Sequence, residues 1–106
     1  MAHDHHDHEN AQHAHDHTHM DFAQMIPMLE QEAELFSPLY TEAAGWLRDQ
    51  RSETGLIVDA GSGPGVISCL LADTFPAARV VAVDEVEPLL ERARARADRL
   101  GVGDRF

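Results

Sequence analysis

An α/β fold built on a parallel sheet with helices on both faces is what this sequence predicts, and three observations predict it. Ile57-Val58-Asp59 is a short apolar run that reaches an acid and passes directly into the glycine-rich turn Ala60-Gly61-Ser62-Gly63-Pro64-Gly65. Val80-Val81-Ala82-Val83 is a second apolar run, and the acid that follows it, Asp84, stands nineteen residues after Gly65. That is the spacing of a βαβ unit with a carboxylate at the tip of its second strand. Helical patterns fill the interval between the runs and the stretch after them.

Taken in order, the chain opens with residues 1–20, a His/Asp-rich tail that holds all eight histidines, from His3 to His19. It offers almost nothing apolar to bury, so it is expected to be disordered. Imidazoles and carboxylates in loose proximity imply at most weak chelation of Zn²⁺ or Ni²⁺, with no fixed geometry and no role in catalysis.

Residues 21–52 read as a helical segment. Phe22, Met25, Ile26, Met28, Leu29, Leu35 and Phe36 have helical spacing, and Pro27 suggests that the regular part starts there. Ser37-Pro38 then restarts a helix running to about Gln50, with Leu39, Ala43, Trp46 and Leu47 expected on its inward face and Ser37 as its cap. Phe36, Tyr40 and Trp46 are expected to be packed.

Residues 53–106 read as the first part of a sheet domain. After the first strand a helix is expected from about Pro64 to Thr74, with Cys69 as a buried, inert thiol among Val66, Ile67, Leu70 and Leu71. After the second strand, Glu87-Pro88 should open a helix that points Leu89, Ala93, Ala97 and Leu100 inward and carries Arg92, Arg96 and Arg99 on a solvated face. Gly101 ends it. Two parallel strands cannot be buried on both faces by themselves, so the chain reads as the front of a larger domain.

The turn carries the chemistry. Gly61 and Gly63 tolerate positive φ and let a ligand approach bare backbone, while Asp59 beside them suits a cationic or amine-bearing group better than a pyrophosphate. A dinucleotide fingerprint would also require glycine at position 66, where Val66 stands. The pattern acid-x-Gly-x-Gly-x-Gly, formed by Asp59, Gly61, Gly63 and Gly65, with Asp84 after the second strand and Glu87-Pro88-Leu89-Leu90-Glu91-Arg92 beyond it, resembles the class I S-adenosylmethionine-dependent methyltransferases. The resemblance covers roughly residues 55–106.

It implies a Rossmann-like methyltransferase fold, a three-layer sandwich of which only the first βαβα portion is present, preceded by two helices. It also implies S-adenosyl-L-methionine as cofactor. On this likeness Asp59 lies near the ammonium group and Asp84 accepts the ribose hydroxyls. Glu85 and Val86 meet the adenine edge, and the backbone of Ala60, Gly61, Ser62, Gly63 and Gly65 lines the methionine end. The amides of the helix that follows are expected to face the methionine carboxylate. Methyl transfer would be an in-line displacement, with any general base supplied by later strands, so no catalytic residue is assigned. The family turns into its third strand near Gly101–Phe106, which suggests an incomplete domain.

Composition narrows the partners. A net charge of −11 repels phosphate backbones, which argues against nucleic acid and for a small-molecule methyl acceptor. No run approaches the roughly 18 apolar residues needed to span a bilayer, and no secretory pattern opens the chain, so a cytoplasmic location is expected. Two other readings stand beside the enzyme: a nicotinamide or flavin domain, and a non-enzymatic histidine-rich metal-binding or interaction protein with an incomplete nucleotide-binding fold.

Overall fold

The structure, a computed structural model, describes residues 22–106, with side-chain surroundings from Gln24 onward. The histidine-rich tail expected over residues 1–20 lies outside the described residues. The elements run α1 (Phe22–Leu35), α2 (Ser37–Gln50), β1 (Leu56–Ala60), α3 (Val66–Thr74), β2 (Arg79–Val83), α4 (Glu87–Arg99) and a terminal 3₁₀ turn, Gly103–Arg105. Strands β1 and β2 pair in parallel, with Ile57 opposite Val80 and Asp59 opposite Ala82. This is the leading portion of a Rossmann-like fold, preceded by two helices.

One face of the two-stranded sheet is covered and the other is bare. Cys69 and Ala72 of α3, Val80 of β2, Ala97 of α4 and Val102 form a buried cluster, with Ile57 and Phe106 packed against it. Because side chains alternate along a strand, the opposite face carries Leu56 and Val58 (both 59% exposed), Val81 and Val83. The expectation of a parallel sheet that needs further layers is visible here as an uncovered apolar surface.

Helix α4 closes on Gly101, whose φ is 75°. The Gly101 amide donates to the Asp98 carbonyl at 3.1 Å and the Val102 amide to the Ala97 carbonyl at 2.9 Å. This is a Schellman termination, in which the residue after the glycine folds back onto the helix. It corrects one expectation: Leu100, placed inward by periodicity, is 56% exposed. Val102 takes the core position, delivered there by the left-handed glycine.

The helical segment departs further from its expected form. Helix α1 runs from Phe22 through Pro27, forgoing the one bond that the proline nitrogen cannot make. A single turn residue, Phe36, separates it from α2, and Ser37 is the first residue of α2 with no side-chain cap. Leu39 and Trp46 (both 62% exposed), Leu47 and Ala43 face outward, and Phe36 is exposed too, while Ala44 is buried and Tyr40 half-buried. Ala44 is the one buried residue of α2, and the bulky stripe stays exposed although α2 packs against both α3 and α1.

Candidate functional site

The glycine turn joins β1 to α3 at the carboxyl ends of both strands. Gly61, Gly63 and Gly65 have φ of 73°, 55° and 82°, the left-handed region expected of them. Their reasons differ. A Cβ on Gly61 or Gly63 would meet nothing within 4 Å, so open space faces the turn there; on Gly65 it would lie 2.5 Å from the Ala93 Cβ. Gly65 is therefore the N-cap of α3 and also the point at which α4 presses against the turn. Helix α3 begins at Val66, leaving Pro64 within the turn, two residues later than its expected start.

The turn is tied to the end of β2. The Gly61 and Ser62 amides both donate to the Val83 carbonyl, at 2.7 and 2.9 Å. The Gly63 amide donates to Asp84 Oδ2 at 2.9 Å, and the Val86 amide to Asp84 Oδ1 at 2.9 Å. Asp84 thus bridges the two loops while it is half-buried. Each carboxylate oxygen has two acceptor directions, so a second hydrogen bond per oxygen remains open. The Gly65 amide donates to the Ser62 carbonyl at 3.2 Å. The turn's own donors are consequently engaged within the protein, and the first intrahelical bond of α3 is made by Cys69 to Gly65. The amides of Val66, Ile67 and Ser68, one turn earlier, are the ones that helix geometry leaves without an intrahelical acceptor.

Asp59 is half-buried and is the fourth residue of β1, one place before the strand ends. Its Oδ2 accepts a 2.6 Å hydrogen bond from the Ser68 hydroxyl. Among the described residues it has no cationic partner, and neither does Asp84. Two half-buried carboxylates without cations, flanking a bare backbone turn at the head of a helix, can hold a ligand that presents an ammonium group and a diol. Of the remaining expected residues, Ala60 ends β1, Ser62 is buried with its hydroxyl 3.5 Å from the Gly63 carbonyl, Glu85 is exposed and Val86 is half-buried. Val86, with no side-chain acceptor, is the N-cap of α4, while Glu87 is its first residue.

Sequence reasoning did not bring Ser68 to Asp59, nor the inward-facing Ala93 against Gly65. A fully buried serine between Val66, Cys69 and Ala72 was the available signal, since a polar side chain on the apolar face of a helix needs a partner. On the arginine face of α4, Arg92 and Arg99 are exposed as expected and Arg96 is half-buried, and two of the three arginines have acidic partners on α1. Arg92 Nε donates to Glu30 Oε1 at 2.7 Å and Arg96 Nη2 to Glu34 Oε1 at 2.9 Å, so α1 is clamped across α4 on either side of Ala93. The Arg92 hydrogen bond holds the Glu30 carboxyl below its ordinary 4.5, against partial burial, which raises it. Cys69 is buried as expected, and loss of solvent pushes its thiol above the ordinary value. Among the described residues no group of three or more His, Cys, Asp or Glu could hold a metal ion, and no helix is long and apolar enough to cross a membrane.

Residues 57–106 match the family of the methyltransferase domain. Over this segment the match supports the likeness to the class I S-adenosylmethionine-dependent methyltransferases. It is 38% identical to a trans-aconitate 2-methyltransferase of Streptomyces coelicolor over 58 residues, 55% of this chain and 19% of that protein. It is also 38% identical to a release factor glutamine methyltransferase of Chlorobaculum tepidum over 82 residues, 77% of this chain and 27% of that protein. A third relative, the release factor glutamine methyltransferase of Mycobacterium leprae, is 42% identical over 60 residues, 55% of this chain and 21% of that protein. The chain thus spans between 19% and 27% of the length of these relatives. No solved structure gives a significant match.

Proposed function

We propose that this protein is an S-adenosylmethionine-dependent methyltransferase acting on a small molecule, with the glycine turn and its two acids as the cofactor site. The observation that carries the reading is the pair of half-buried carboxylates, Asp59 and Asp84, on either side of a turn whose Gly61 and Gly63 face open space. Bound there, S-adenosylmethionine would supply an electrophilic methyl group on its sulfonium for in-line displacement. Asp59 would receive the ammonium group, Asp84 the ribose hydroxyls through its remaining lone pairs, and the first amides of α3 the carboxylate. Glu85 and Val86 would border the adenine edge. What these residues contribute is position: a fixed donor needs only an acceptor brought into line, with water kept out.

A small acceptor is supported by the acidic balance of the chain and by the likeness to a trans-aconitate methyltransferase. A protein acceptor is the second reading. One observation favours it: the likeness to a release factor glutamine methyltransferase extends over 82 residues of the chain.

The test is titration of the protein with S-adenosylhomocysteine by calorimetry. Asp84→Ala and Gly63→Val should each abolish a measurable heat while the protein stays folded by circular dichroism. Unchanged affinity in both variants removes the site assignment. Transfer of a labelled methyl group to small carboxylic acids, and not to a protein acceptor, separates the two acceptor readings.

A further inference from the structure

We infer that Ser68 is a positioning residue of the cofactor site, holding the Asp59 carboxylate toward the cationic end of the methyl donor; this rests on the cofactor reading above. Ser68 is 0% exposed, and its hydroxyl donates to Asp59 Oδ2 at 2.6 Å. Asp59 Oδ1 receives no hydrogen bond among the described residues, and no arginine there pairs with either oxygen. One oxygen is therefore tethered and the other is left for a ligand.

The tether has a physical consequence. A carboxylate on a strand rotates about two bonds, and its terminal torsion is broad. A hydroxyl from the first turn of α3 removes that freedom, because Ser68 is itself fixed: Gly65 caps its helix and Val66 and Cys69, on either side of it, are buried. The hydrogen bond is charge-assisted and short, the kind that fixes direction as well as adding energy. It links the two halves of the site across nine residues of sequence, so that the strand acid and the helix amides keep one relative orientation. The amino and carboxylate groups of an α-amino acid end are a fixed distance apart, and a site that grips both gains from such rigidity.

Ser68→Ala removes the donor, and Ser68→Cys keeps nearly the same volume with a much weaker donor. The probes are S-adenosylhomocysteine, which carries the ammonium group, and methylthioadenosine, which lacks the amino-acid end. In calorimetry, both variants should bind S-adenosylhomocysteine roughly tenfold more weakly than the wild type, as expected for one hydrogen bond to a charged group. Their affinity for methylthioadenosine should be unchanged. In Asp59→Asn, adding Ser68→Ala should bring no comparable further loss.

Equal weakening of both probes means that Ser68 only supports the fold and overturns the inference, as does unaltered binding of both. Should Ser68→Ala fail to fold, Ser68→Cys decides by the same comparison. Failure of the folded wild type to bind S-adenosylhomocysteine at all defeats the cofactor reading itself, and the inference with it.

Discussion

Gly65 shows how much a single position can hold. Its φ of 82° is one that L side chains adopt reluctantly, and a Cβ there would stand 2.5 Å from that of Ala93. Gly65→Ala should therefore lower stability by about 2 kcal/mol or more, combining left-handed strain with overpacking. Urea denaturation reads this directly, and an unchanged midpoint would refute the close packing. The glycine turn and its left-handed backbone were legible in the sequence. The contact with Ala93 was not, because it depends on where a helix twenty-eight residues away in the chain comes to rest. Asp84 divides in the same way: its place after β2 could be read from spacing, but not its bond to the Gly63 amide.

At the scale of elements, βαβ periodicity located β1, α3, β2 and α4 nearly to the residue. Helices α1 and α2 were both found, but α2 was oriented wrongly, since periodicity identifies an apolar stripe without saying which neighbour is present to cover it. Charge then decides how α1 sits. Glu30 and Glu34 are one turn apart and meet Arg92 and Arg96, also one turn apart. Glu30 is largely covered and its carboxyl is held below 4.5 when folded. A carboxylate whose folded value is lowered contributes stability that is whole above the unfolded value and is lost as pH falls through the folded one. Acidification below about pH 4.5 should thus release α1 before the sheet unfolds, and hydrogen exchange of α1 amides would report it. Glu30→Gln should abolish that pH dependence; if α1 protection instead stays constant through the acid range, the clamp contributes nothing.

For the molecule as a whole, the governing fact is that half the sheet and the α2 stripe are unclad. Leu56, Val58, Val81 and Val83 on the sheet, with Leu39 and Trp46 on α2, present more apolar surface than a small soluble unit ordinarily shows. The isolated 106-residue chain should bind a hydrophobic dye strongly and self-associate with rising concentration. Val58→Lys together with Val81→Glu should suppress both in fluorescence and sedimentation experiments. Absence of dye binding in the wild type would show that another surface covers the face. The need for more layers could be read from the strand composition, whereas the outward turn of α2 required the fold.

The far end of α3 is secured by a residue near the last position of the sequence. Arg105 donates to the carbonyls of Ala72, Phe75 and Ala78 at 3.0 to 3.2 Å, so one guanidinium stitches a helix exit to the loop that starts β2. The pillar supporting the glycine turn is therefore footed by sequence that is made after both strands. During synthesis it can stand firmly only once that arginine has arrived. Arg105→Ala should loosen the foot first, seen as faster amide exchange at Phe75 and Ala78, while the turn at the head keeps its protection.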